Sequence, residues 1–326
     1  MRFFTLPLVV AALGSCAFAA DPGLLSLVMP DAKIVVGIEA AQARNSPFGQ
    51  YVLSHMQAND ANLNNFISQT GFDPRTDVTE MILASNSDPK TPHGQGLVLI
   101  KGVFDVTKLT AAAQAHGGTI LPFQGLDIIS YPARNSQQFA RGIVFLDSST
   151  AITGDIGLVE TAIQQRKSNI QPSSSLLDKI AHVSGNNDFW FVSLVPISQF
   201  SAALPDPNLR SALGGNVLAS INQLSGGVSL ANSVAVSIDA VANNSQNAQS
   251  LADVLKFAAS LVQLNSQNNP QSAQIAALLS TLNTTVAGNV TSISFSIPEQ
   301  QLEQLLATLR PPQGRPMRRR VRPQLN

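Results

Sequence analysis

Four histidines, at positions 55, 93, 116 and 182, are the side chains best suited to moving protons or holding a metal near neutral pH. They lie far apart in the chain, and none has the local spacing that brings two imidazoles onto one metal. His55 falls on an apolar helical face. His116 and His182 fall in last helical turns just before glycine, where a cation suits the negative end of the helix dipole. His93 sits in a Pro/Gly loop. Cys16 is the single cysteine, so no thiolate pair is available. No metal or cofactor site is expected.

Two carboxylates could serve a hydrolase. Asp73 and Asp77 flank a turn, and Asp147 and Asp155 bracket a short apolar run. Turn formation and helix N-capping account for all four. The chain has no Gly-x-Ser-x-Gly elbow, no Gly-x-x-x-x-Gly-Lys loop, no Gly-x-Gly-x-x-Gly fingerprint and no His-Glu-x-x-His. The glycine pairs at 117–118, 214–215 and 226–227 read as helix ends or turns. No catalytic residue is assigned. A carboxylate pair or a Ser/His site assembled from distant residues stays open.

The strongest hint of binding chemistry is the C-terminal stretch 310–326. It holds Arg310, Arg315, Arg318, Arg319, Arg320 and Arg322, four prolines and no acid. Prolines oppose a regular helix and clustered charges repel, so an extended, disordered tail is expected. Arginine pairs with phosphate and carboxylate through two parallel hydrogen bonds. These six are the candidate anion-binding residues. The rest of the chain from 21 to 309 holds 13 basic and 20 acidic residues, a mildly acidic body with a basic tail.

The other end also carries a signal. Arg2, the apolar run Phe3–Leu13 and the small-x-small site Ala17-Phe18-Ala19 read as a secretory signal peptide over residues 1–20. Leu13-Gly14-Ser15-Cys16 also resembles a bacterial lipobox, which makes Cys16 a candidate lipidation site. The apolar run falls short of the roughly 20 residues needed to span a bilayer, and no later run approaches that length. The expected location is therefore exported, periplasmic or extracellular. After cleavage at Ala19 no cysteine remains, so a core must hold the fold. About 300 residues suffice for one.

The elements that must position any site centre on Asp188-Phe-Trp-Phe-Val-Ser-Leu-Val195. It holds the only tryptophan and reads as a buried strand. Asp31–Ile38 has a similar pattern. Each run is followed by helical signals and more strands, so two related halves, 21–185 and 186–309, are expected. Strands are read at 33–39, 78–84, 97–104, 126–131, 142–146, 150–153, 228–230, 234–240 and 292–297. Helices are read near 47–56, 62–69, 105–116, 155–166, 176–183, 209–224, 251–262 and 275–282. A final helix opens at the capping box Ser296-Ile-Pro-Glu299. The fold class is α+β, with mainly antiparallel sheet covered by amphipathic helices.

The segments DPGLLSLVMPDAK, NSPFGQYVL, TGFDPRTDV and DFWFVS together resemble an uncharacterised family of secreted bacterial α+β proteins. The resemblance spans most of the chain after residue 20. It implies export and an α+β body, and brings no activity, ligand or site residue.

The expected function is a non-catalytic binding or interaction protein of the cell envelope, tethered to anionic surfaces by its tail. Its expected partners are anionic envelope components or another envelope protein, not nucleic acid. The alternatives are a secreted hydrolase with a dispersed carboxylate or Ser/His site, and a structural protein anchored through Cys16.

Overall fold

The computed structural model describes residues 19–55, 61–86, 95–133, 140–199, 215–231, 233–265, 276, 279–298 and 301. His93, Cys16 and the six tail arginines lie outside these residues, as does nearly all of the expected final helix.

The fold is α+β. Twelve strands form one sheet in which every pairing is antiparallel. In chain order they are β1 (Ile34–Ile38), β2 (Val78–Ser85), β3 (Leu97–Gly102), β4 (Thr119–Phe123), β5 (Leu126–Tyr131), β6 (Arg141–Phe145), β7 (Thr150–Asp155), β8 (Phe189–Ser193), β9 (Ile221–Ser229), β10 (Val234–Ala242), β11 (Asn283–Ala287) and β12 (Val290–Ile297). Their order across the sheet is β11-β12-β10-β9-β8-β1-β2-β3-β7-β6-β5-β4. The boundary read at residue 186 falls just ahead of β8. There the sheet is continuous, because β8 pairs directly with β1.

Among the described residues the helices are α1 (Pro22–Leu25), α2 (Ala40–Asn45), α3 (Pro47–His55), α4 (Ala61–Thr70), α5 (Pro74–Asp77), α6 (Val106–Ala115), α7 (Ile156–Ser168), α8 (Ser174–Ser184), α9 (Gly215–Ala219) and α10 (Ser245–Asn265). Several begin where the sequence signals them. Ser46 accepts the Gly49 N–H at 2.9 Å ahead of α3, and Asp105 accepts the Lys108 N–H at 3.1 Å ahead of α6. Gly71 and Gly117 follow α4 and α6 with φ of 72° and 90°, a conformation that disfavours side chains.

The core of the first half sits on one face of the sheet. Val192, Val35, Ala84 and Leu97 make one row across β8-β1-β2-β3, and Trp190, Gly37, Ile82 and Leu99 make the next. All eight residues are buried. They pack under α7 and α8 and under the segment 20–32, whose Leu24, Leu27, Val28 and Met29 plug the centre. The opposite face of this half is also covered. A chain of rings, Phe66, Phe72, Phe104 and Phe145, runs there with successive centroids 6.3, 5.4 and 5.5 Å apart. The sheet of this half therefore has cover on both faces.

The second half places its core on that opposite face. Leu251 and Leu255 of α10 pack on Ile221 and Ala240. Ala43 of α2 and Phe48 of α3 cross from the first half onto Leu230, Val234 and Ile297.

Two sequence readings are corrected. The helix read over 209–224 gives way by Ile221, which opens β9. Ile221 and Leu224 mimic a helical spacing, but they lie on a strand. Gly226 and Gly227 are not at a turn; they sit inside β9 because a Cβ there would come within 2.2 Å of the Ser237 carbonyl and 2.5 Å of Asn187. β4 and β11, unmarked in the sequence, are the two outer strands of the sheet.

A Cβ on Gly37 would lie 2.0 Å from the Trp190 ring. Gly37→Val is therefore expected to cost about 3 kcal/mol or more of stability, read as a lower urea midpoint. An unchanged midpoint would mean that the ring can move aside.

Candidate functional site

The inward face of the four central strands continues one step beyond the Trp190–Gly37–Ile82–Leu99 row, and there it turns ionic. Glu80 pairs in register with Lys101. Glu39 follows β1 and Asp188 precedes β8, and the Glu39 N–H donates to the Asp188 carbonyl at 2.8 Å. A period of two puts Asp188, Glu39, Glu80 and Lys101 on one face at one end of β8-β1-β2-β3. Glu80 reaches this row by plain alternation from Ile82, and the register shifts only beyond it, between Val78 and Glu80.

The row lines a cavity of about 740 Å³, closed by Asp21, by one side of α2 and by Gly185. Asp188 is 1% exposed, Glu80 6% and Glu39 7%. Their hydrogen bonds are few. The Asp21 N–H reaches both Glu80 oxygens at 3.0 and 3.2 Å. The Trp190 Nε1–H reaches Glu39 Oε1 at 3.4 Å. Asp188 Oδ2 accepts the Leu230 N–H at 2.6 Å, while among the described residues Asp188 Oδ1 has no partner. Lys101 Nζ lies 3.5 Å from Asp21 Oδ2, so its charge is directed to Asp21.

Burial pushes the Glu39 carboxyl up to about 7, and the Asp188 and Asp21 charges push the same way against the Trp190 hydrogen bond. Burial also takes Glu80 to about 7, helped by Glu39 and opposed by the Asp21 N–H and Lys101. The signal for this row was in the sequence, as acids one step beyond strand-core residues at Glu39, Glu80 and Asp188. It was missed because nothing local shows that three strand ends meet.

The other side of α2 faces a different space. Ile38 alternates away from Glu39, and with Ala43, Phe48, Val52, Leu63 and Phe189 it lines an apolar cavity of about 920 Å³. Arg44 and Arg75 are its two cations. Arg75 is neutralised by a two-point pair with Asp73, closest approach 2.7 Å. Arg44 is half-buried; its Nη1 donates to the Arg75 carbonyl at 2.8 Å and the Val78 carbonyl at 3.2 Å. Among the described residues Arg44 has no acidic partner.

A third space, about 570 Å³, lies over the polar face of β9, β10 and β12 beside α8. Ser292 Oγ donates to Asp239 Oδ1 at 2.6 Å, and His182 Nε2 is 3.8 Å from Asp239 Oδ2. The carboxylate stands between serine and imidazole, so the imidazole does not touch the hydroxyl. Acyl transfer by a triad needs the imidazole in the middle.

The acids singled out in the sequence are structural. Asp73 caps α5 through the Arg75 N–H, Asp77 accepts the Asp73 N–H at 2.8 Å, and Asp147 accepts the Ser149 N–H at 2.8 Å. Asp155 precedes α7 without a capping bond; its Oδ2 accepts the Gly96 N–H at 3.0 Å. His116 is the C-cap residue of α6, and its Nε2 lies 3.5 Å from Gln69 Oε1. His55 ends α3. Among the described residues no three His, Cys, Asp or Glu are placed to hold a metal ion, and no helix is long and apolar enough to cross a membrane.

No family model matches the sequence, and no curated protein does. One solved structure, crystal form I of TP0453, superposes on 90% of this chain and 99% of its own, with a TM-score of 0.49 and 10% identity. A likeness of that size carries no argument about ligand or activity.

While Ala20 is joined to a preceding residue its nitrogen is a neutral amide, and the carboxyl row must shed protons without a new cation. Glu39 and Glu80 titrate higher in the fold than their ordinary 4.5. The folded state then holds more protons, so stability is greatest below about pH 4.5 and is lost as pH rises through about 7, by several kcal/mol at most. In that form Glu39→Gln is expected to raise the melting temperature at pH 8 and flatten the slope between pH 4.5 and 7. An equal loss at pH 5 and pH 8 would mean that the charge carries no such penalty.

Proposed function

We propose that this is an exported, non-catalytic binding protein of the cell envelope, and that its ligand has an apolar body and one anionic group. The observation that carries this is the 920 Å³ apolar cavity with Arg44 in its wall. Its size lies within the roughly 300–1,000 Å³ range of small-molecule sites. A half-buried guanidinium without an acid gains most from an anion brought to it. The basic tail, Arg310 to Arg322, adds a separate attraction to anionic surfaces. Export rests on the leader sequence.

The reading of two related halves has some support from the strand order. Strands β1-β2-β3 run outward on one side of the β1–β8 pair and β8-β9-β10 on the other. A helix follows each third strand, and both helices lie on the same face of the sheet.

A second reading, a secreted hydrolase, draws support only from Glu39 and Glu80, two carboxyls held near 7 in one concave site. The Ser/His version finds no such arrangement. A lipid anchor at Cys16 is read directly from the intact mass of the processed protein.

The binding proposal is tested by titrating delipidated protein with palmitate and with hexadecanol. Palmitate is expected to bind one per chain. Leu53→Trp, which fills the cavity, should abolish binding of both. Arg44→Met should weaken palmitate about tenfold and leave hexadecanol unchanged. A form ending at Leu309 should bind palmitate as the full chain does. Binding that survives Leu53→Trp, or that disappears with the tail, overturns the assignment to this cavity. Envelope co-sedimentation at low and high salt separates the tail's part: salt should release the full chain, and the form ending at Leu309 should sediment less.

A further inference from the structure

We propose that the carboxyl row Asp188–Glu39–Glu80 is a binding site for a primary ammonium, and that its occupant is the chain's own α-ammonium, formed at Ala20 when the leader is cut after Ala19. This rests on the reading of residues 1–20 as an export signal.

The geometry on which it stands is local. Ala20 is 3% exposed, packed into the same core as Trp190. Its nitrogen donates to Ser184 Oγ at 3.2 Å in a buried contact. Ser184 is 1% exposed and leads through Gly185 along the cavity wall to Asp188. The next nitrogen, that of Asp21, already donates to both Glu80 oxygens. Asp21 therefore lines the acid cavity, and Ala20, one residue before it, is buried beside Ser184. Asp188 Oδ1 is buried there without a donor among the described residues.

The charges facing this space are Asp21, Glu39, Glu80, Asp188 and Lys101. Lys101 lies 3.5 Å from Asp21 and also acts on Glu80, so among the described residues four acids face one cation, three acids in excess. Buried acids without a partner are costly, and a fold that keeps three in one row needs a counter-charge. An amide at Ala20 offers one N–H and no charge. An ammonium offers three N–H donors and one positive charge.

The step itself is ordinary hydrolysis. A signal peptidase adds one water across the Ala19–Ala20 peptide bond. The C–N bond breaks, Ala19 leaves as a carboxylate, and the Ala20 amine takes up the proton. Removal of the leader thereby creates the missing cation at the place where the row lacks one. Maturation then stabilises the exported form over its precursor.

The test compares three proteins of otherwise identical sequence: residues 20–326 with a free amine, the same chain acetylated at Ala20, and the same chain extended by Gly-Ser. At pH 8 the free-amine form is expected to melt on the order of 3 °C or more above the other two. The advantage should shrink toward pH 4, where Glu39 and Glu80 are protonated. The Ala20 amine should titrate above the usual ~8, followed by NMR after reductive methylation with labelled formaldehyde. Asp188→Asn keeps an acceptor for Leu230, and it and Glu80→Gln should each shrink the gap between free and blocked forms. Equal melting of all three forms, together with an amine titrating near 8, overturns the proposal.

The intact mass of protein recovered from the host envelope tests the export reading separately. A start at Ala20 supports both readings. A start at a lipidated Cys16 overturns the natural occupancy even where the laboratory forms differ in stability.

Discussion

The fold depends on one contact, the indole of Trp190 laid across Gly37 where β8 meets β1. These two strands hold the sheet's sides together, and their registered pair places the largest side chain of the core on a position that offers no side chain. The ring fills the layer between the central strands and the helices α7 and α8. Removal of that fit would open a large cavity or force the strands apart, and close-packed interiors absorb neither cheaply. The site follows from this pair, because Glu39 and Asp188 lie two positions further along the same two strands, on the same face.

The end of β1 divides the chemistry. Ile38 and Glu39 point to opposite faces by the simple alternation of a strand, and α2 begins at once and walls one space off from the other. One side of this six-residue helix, Ala41, Gln42 and Asn45, meets the acid cavity. The other, Ala40, Ala43 and Arg44, meets the apolar one. The electrostatics are arranged as opposites. The carboxyl row has acid in excess, with its single lysine turned to Asp21. The apolar cavity has a guanidinium in excess, with its second arginine turned to Asp73. Each space is short of the charge that would settle it.

The parts legible from sequence are those where burial writes a pattern. Trp190 and its neighbours, the alternation in β10 and β12, and the caps at Ser46 and Asp105 all leave local marks. The two strands left unread, β4 and β11, are the sheet's edges, where most side chains meet water and Pro122 interrupts the pattern. The reading failed again at Ile221–Leu224, because the glycines behind it look like a turn. They serve instead to let β10 and Asn187 approach β9 closely. The carboxyl row was invisible for a deeper reason. Glu39, Glu80 and Asp188 are separated by tens of residues, and each alone reads as a surface acid at a strand end. Only strand order, which depends on long-range pairing, brings them into one line.

The way the two sides are joined bears on what binding would do. Helices α2 and α3 belong to the chain's first half, yet they cover Leu230, Val234 and Ile297 of the second. The apolar cavity is bounded by these helices on one side and by Phe189 and Leu230 on the other, so it lies along the seam. Phe189 is 38% exposed in the described structure, an unusual position for a ring next to the central strand pair. A ligand seated there would bury Phe189 and touch elements from both sides at once. Its free energy would add to the stability of the seam, since anything bound only by the folded form shifts the equilibrium toward that form. The acid row stands on the other side of the same helix, at the ends of the same strands. Both spaces therefore bear on the β1–β8 junction: one through the apolar packing on Phe189, the other through the charge held at Glu39 and Asp188.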